Sequence, residues 1–193
     1  MVRYATFDRE QVLDKAMVVF WRQGYSASSI QDLVDATGLS RSSLYAAFGD
    51  KRGLFLAAVD RYVETSSRTR VQALRVGTDP LASIRRFFDN LVAFSVGEGR
   101  RLGCLLTNEA VELAPSDADL ERRFRANLAE VETAFAEALG RAQRAGEIGA
   151  ARDLRALARM LTNSVQGMRV MARAGVEEPV LRDIVNETLA ALP

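Results

Sequence analysis

The stretch Ser28-Ser29-Ile30-Gln31-Asp32-Leu33-Val34-Asp35-Ala36-Thr37-Gly38-Leu39-Ser40-Arg41-Ser42-Ser43-Leu44-Tyr45-Ala46-Ala47-Phe48 holds two helix-length segments about a short, glycine-bearing joint. Ser28 with Gln31 three residues on has the spacing of a capping box, which predicts the start of the first segment there. Gly38 suits the left-handed position that ends a helix. Ser40 is placed to cap the second segment, which runs through Ala47. Leu33, Val34, Leu39, Leu44 and Phe48 fall on one side of the pair, and Arg41, Ser42, Ser43 and Tyr45 on the other. Two short helices about such a turn form a helix-turn-helix, whose second member enters the major groove of DNA. An ordinary helical hairpin that only packs has the same spacing.

Outward from this segment the chain continues to read as helix. Asp8 caps a preceding helix whose apolar side is Val12, Ala16, Val19 and Phe20 and which ends at Gly24. Asp50 opens a long helix towards Arg75. Asp79-Pro80 opens another, with proline at the first helical position, where its missing N–H costs nothing. A short helix is predicted from Cys104 to Leu113. A long one follows, capped at Ser116, with the stripe Leu120, Phe124, Leu128, Val131, Phe135 and Leu139. Two more begin near Asp153 and after Pro179. All 4 prolines lie between helical segments or at the chain end, and no segment alternates with the period of a strand. The predicted fold is all-α, with a natural division after the third helix, into residues 1–49 and 50–193.

Composition narrows the chemistry. The chain has 193 residues, 48% hydrophobic and 26% charged, an ordinary globular balance. It has no histidine, which removes the commonest general base and metal ligand, and its 1 cysteine builds neither a zinc site nor an internal disulfide. Gly-rich phosphate loops and Gly-x-Ser-x-Gly elbows are absent. Glu109 and Glu112 have the spacing of a solvated helix face. No enzyme, cofactor or metal is expected. The first eight residues hold no apolar signal core and no apolar run reaches membrane-span length, so the expected location is the cytoplasm. With a net charge of +1, any DNA-binding cations must be placed locally.

Arg41, Ser42, Ser43 and Tyr45 are short or planar donors. Arginine can donate two hydrogen bonds to one guanine edge, and serine reads several bases. Tyr45 and Lys51 suit phosphate contacts, and the free N–H groups near Ser28 offer a further one. Taken together, Ala16, Phe20, Gly24, Tyr25, Ser28, Ile30, Thr37-Gly38-Leu39-Ser40, Leu44-Tyr45, Phe48, Lys51 and Leu54 resemble the DNA-binding domain of TetR-type repressors. The resemblance implies a three-helix N-terminal DNA-binding domain joined to a larger helical effector-binding and dimerisation domain. It also implies a recognition helix carrying Arg41, Ser42, Ser43 and Tyr45, with Lys51 near the DNA backbone; Ser28 and Ser40, at the helix starts, join them as DNA-binding candidates. Ser42 stands where many members have glycine, Ala47 where an aromatic or histidine is common, and Gly53 where a helix former is usual.

Beyond the motif, the helix after Asp153 is apolar on two sides: Leu154, Leu157, Leu161, Val165 and Met168, then Met160, Gly167, Met171 and Ala174. A helix apolar on two sides buries both, one in its own core and one against a partner. The last two helices are therefore the expected homodimer interface, in agreement with the resemblance. Phe87, Phe88, Leu91, Phe94, Cys104, Phe124, Leu128, Phe135 and Met160 are candidates for lining an effector pocket, with Asn108, Asn163 and Gln166 to orient a small-molecule effector. The implied protein is a homodimeric repressor released from a palindromic operator by that effector. Two alternatives stand beside it: a helical small-molecule-binding protein that never touches DNA, and a thiol-based redox or electrophile sensor acting through Cys104 at a helix start.

Overall fold

Caps and breakers set the helix boundaries in the computed structural model of the chain, which describes residues 7–193; residues 1–6, read above for an export signal, lie outside the described range. The elements are α1 (Arg9–Gln23), α2 (Ile30–Thr37), α3 (Arg41–Phe48), α4 (Lys51–Tyr62), a π-helical turn (Val63–Ser67), α5 (Arg68–Arg75), α6 (Pro80–Val96), α7 (Leu105–Leu113), α8 (Ala118–Arg144), α9 (Leu154–Arg173) and α10 (Glu178–Ala190). Among the described residues all regular structure is helical, as the sequence predicts.

Asp8, Ser40, Asp50, Asp79 and Asp153 cap α1, α3, α4, α6 and α9 through their side chains. Two caps shift by one residue. Ser29 rather than Ser28 caps α2: its Oγ accepts from the Asp32 N–H at 3.1 Å, and the Asp32 carboxylate accepts from the Ser29 N–H at 2.8 Å. Asp117 rather than Ser116 caps α8, accepting from the Asp119 and Leu120 N–H groups, while the Ser116 hydroxyl turns back to donate to the Leu113 carbonyl. The long helix expected from Asp50 to Arg75 forms with helical backbone throughout, its middle turn, Val63–Ser67, being π-helical.

The chain forms two compact units, one ending at Ser66 and the other spanning Ser67–Pro193. This boundary lies beyond the division expected after residue 49, because α4 packs into the N-terminal unit. Its Phe55 meets the Phe20 ring edge-on at 5.2 Å, and its Tyr62 meets Trp21 in the same way at 4.9 Å. Arg61 of α4 adds a polar tie to α1, donating to Asp14 at 2.8 and 3.1 Å and to Glu10 at 3.0 Å. The Asp14 carboxylate raises the Arg61 pKa further above its already high ordinary value. Leu33, Leu44 and Leu54 complete this core.

The second unit is built on α8 and α9. Ile84, Phe88, Phe135, Leu139, Leu161, Val165 and Leu181 form its centre, all buried. Of the predicted α8 stripe, Leu120, Val131, Phe135 and Leu139 are buried, and Phe124 and Leu128 half-buried. The first apolar side of α9 enters this core. The second divides: Met160 and Met171 are half-buried and pack against the same core, while Gly167 and Ala174 are exposed and Val170, beside them, is 51% exposed.

Candidate nucleic-acid interface

A recognition surface needs a short helix fixed at both ends and polar along its outer side. Gly38, at φ 75°, turns the chain between α2 and α3. The Ser40 Oγ then accepts from the Ser43 N–H at 3.2 Å and lies 2.9 Å from both the Ser42 and Ser43 hydroxyls. Three hydroxyls thus converge on the first turn of α3. Arg41 and Ser42 are exposed, Ser43 is half-buried, and Tyr45 is 39% exposed. Only Leu44 of this helix is buried. Ala46 also lies on the exposed side, where its methyl group carries no chemical signal in the sequence.

Lys51 opens α4 and is half-buried, its Nζ 4.5 Å from the Tyr25 ring centroid. The ring supports the ammonium without neutralising it. Asp32 has its pKa held below the ordinary aspartate value, first by the Ser29 backbone N–H, next by the Ser29 hydroxyl, and last by the charge of Lys51. Ser28 departs from its expected place: it is 2% exposed, and its hydroxyl donates to the Gly24 carbonyl at 2.6 Å. Because Ser29 takes the cap, the Ser28 hydroxyl turns inward. Gly53 has a local reason. A Cβ there would stand 2.1 Å from the Phe48 carbonyl oxygen, so only glycine lets the first turn of α4 close on the end of α3.

The residues expected around an effector divide into three groups. Phe87, Phe88 and Phe135 pack on one another, with centroids 5.2 to 6.0 Å apart, and Leu91 is buried in the same core. Phe94, Phe124, Leu128 and Met160 are half-buried, with the Arg70 guanidinium 5.6 Å from the Phe94 ring centroid. The amides take separate courses. Asn108 donates to the Leu102 carbonyl at 2.8 Å, and Gln166 accepts from the Thr107 hydroxyl at 2.5 Å. Asn163 is exposed, contrary to the interior position expected of it, because it lies on the outer side of α9 with Gly167 and Val170. Cys104, the residue before α7, is 6% exposed, and this burial weighs against a thiol sensor, whose sulfur must meet its oxidant.

Two cavities of the second unit lie elsewhere. One of about 200 Å³ is lined by Ser95, Val96, Arg100 and the residues joining α9 to α10; an open groove of about 580 Å³ runs between the start of α6 and the chain end. None of the twelve residues expected around an effector lines either. No helix of the described residues is long and apolar enough to cross a membrane.

The family model described as bacterial regulatory proteins, tetR family, matches residues 12–58, and that for the tetracyclin repressor-like C-terminal domain matches residues 80–186. The HTH-type transcriptional repressor ComR of Escherichia coli (strain K12) is 33% identical over 192 residues, 99% of this chain and 91% of that protein. The uncharacterized HTH-type transcriptional regulator YezE of Bacillus subtilis (strain 168) is 35% identical over the full length of both. Among solved structures, a cysteine mutant of the TetR family regulator CifR, complexed with 26-bp double-strand operator DNA, superimposes with a TM-score of 0.87 at 30% identity, covering 98% of this chain and 99% of that one.

Proposed function

Because this chain belongs to the TetR family of bacterial transcriptional regulators, we propose that it is a homodimeric repressor that reads a palindromic DNA operator with α3 and is released by a small-molecule effector. The observation that carries this reading is the outer side of α3, where Arg41, Ser42, Ser43 and Tyr45 stand beside a three-hydroxyl cap and away from the core. Arg41 is assigned to a base edge, with Ser42 and Ser43 beside it. Ser40, Tyr45 and Lys51 are assigned to phosphates, which fix register rather than sequence preference. Repression, rather than activation, follows the similarity to ComR over nearly the whole chain.

One such module makes too few contacts to select a single site, and a two-fold pair doubles them. The outer stripe of α9 supports a second copy as its partner. Asn163, Gly167, Val170 and Ala174, all exposed, recur at the three- and four-residue steps of an interhelical seam. Gly167 has open space where a Cβ would be, so nothing within its own chain requires glycine there. A mid-helix glycine costs about 1 kcal/mol against alanine, and close approach of another helix accounts for it.

In this reading the N-terminal unit binds DNA, and the unit from Ser67 onward dimerises and takes the effector. The candidate lining is the half-buried set Phe94, Phe124, Leu128 and Met160, with Asn108 and Gln166 as polar groups. The chain passes from one unit to the other within the π-helical turn. An effector that favours a form with a different separation of the two reading helices lowers affinity, because both no longer dock at once. Such coupling is expected to weaken operator binding by roughly 5- to 150-fold. Titration of a labelled operator duplex, with and without each compound that binds the protein, measures it. Unchanged operator affinity with every bound compound would contradict release by an effector.

A further inference from the structure

The reading helix has a fastening outside the helix-turn-helix itself. Arg9, in the first turn of α1, sends Nη1 to the Ala47 carbonyl at 3.2 Å, across 38 residues of sequence. Its guanidinium carbon also lies 4.4 Å from the centroid of the Phe48 ring. The two contacts fall on the last two residues of α3, next to Gly49, whose N–H donates to the Tyr45 carbonyl and closes the helix. A helix ends with carbonyls that have no partner within it and with partial negative charge, so a cation that donates there stabilises that end. Arginine suits the position because its planar fork can stack on an aromatic face while still donating in its plane.

The contact adds to packing on α2 and α4 that covers only a small part of α3. That helix is eight residues long, too short to be stable alone, and it buries only Leu44. Its N-terminal end is fixed by Ser40; its C-terminal end is closed by Gly49 and Arg9. Resting on the DNA-reading proposal above, we propose that Arg9 is a positioning residue: it straps the end of α3 to α1 and holds the reading helix at the angle that base contacts require. Base edges are read only when the donors stand within about half an ångström of their places. Phosphate contacts tolerate more. Loss of the strap therefore reduces specific binding and leaves non-specific binding almost unchanged.

Arg9→Ala in the full-length protein tests this with two measurements. Without DNA, hydrogen exchange of the Phe48 and Gly49 amides is expected to quicken, while the amides of α1 and α4 keep their protection. With DNA, affinity for the operator is expected to fall roughly three- to tenfold per half-site, with the slope of log affinity against log salt unchanged. Unchanged exchange overturns the strap. Faster exchange with undiminished specific affinity overturns its role in reading. A slope smaller by about 0.9 per half-site, with specific and non-specific affinity falling together, makes Arg9 a phosphate contact instead and overturns the proposal. If the unsubstituted protein selects no operator, the DNA-reading proposal fails, and the exchange measurement still decides whether the strap exists.

Discussion

Arg41→Ala is expected to weaken operator binding by roughly a hundredfold or more while leaving the fold and the dimer intact. A bidentate arginine–guanine pair contributes about 1–3 kcal/mol of discrimination, and a two-fold dimer loses it at both half-sites. Arg41 is exposed in the first turn of α3 and the cap hydrogen bonds of that turn do not use its side chain, so truncation leaves no buried group unsatisfied. Thermal unfolding is therefore expected to be unchanged, since surface substitutions of this kind lie within about 0.5 kcal/mol. Fluorescence anisotropy with the operator and with a scrambled duplex separates the two components. Specific affinity is expected to collapse towards the non-specific value, and the preference at the base facing Arg41 to relax. An equal fall on both duplexes would reassign Arg41 to a phosphate.

The second large effect is expected at Gly167. Leucine there replaces a poor helix former with a good one at an exposed position with open space around it, so an isolated subunit is expected to gain up to about 1 kcal/mol of stability. In the proposed dimer the same side chain fills the space needed by the facing helix. Gly167→Leu is therefore expected to sediment as a monomer, and to bind the operator at least about a hundredfold more weakly, close to its non-specific affinity. The two outcomes are diagnostic when the monomer keeps the parent's helical content and cooperative unfolding. A substitution that merely damaged the fold would lose them, whereas dissociation alone lowers only the concentration-dependent part of stability. A Gly167→Leu protein that remains dimeric with undiminished operator affinity would place the subunit contact away from this stripe.

The parts of the fold that local chemistry decides were readable in the sequence. Gly38 with Ser40 marked the turn and the start of α3, and Asp79-Pro80 marked α6, because each residue performs its role through neighbours a few positions away. The caps of α2 and α8 slipped by one residue for a related reason. Ser28 and Ser29, like Ser116 and Asp117, are adjacent residues of similar capping ability, and the backbone path rather than the residue type selects between them. The π-helical turn at Val63–Ser67 carries no proline or glycine to mark it. It lies in a Glu-Thr-Ser-Ser run in which the Thr65 hydroxyl donates to the Arg61 carbonyl, and such side-chain bonds compete only weakly with a helix.

The site was legible where exposure follows helical period, as for Arg41, Ser42 and Tyr45. It was illegible where distant segments meet. Arg9 reaches the end of α3 across 38 residues, and nothing in its own neighbourhood announces a partner. Gly53 looked like a flaw in α4 until the Phe48 carbonyl was seen 2.1 Å from where its Cβ would be. Asn163 satisfied the rule that an amide among apolar residues is buried with purpose, yet α9 has two apolar sides and the amide lies on the outer one.

Selection of genomic fragments by the purified full-length protein, at moderate and at raised salt, decides whether a dimer reads one operator. Fragments that survive the higher salt and share a palindrome are expected, its half-sites spaced about one helical turn apart or a multiple of it. Fragments with no common two-fold sequence, whose retention disappears as salt rises, would show counterion-release binding alone and would contradict a dimeric reader of one operator.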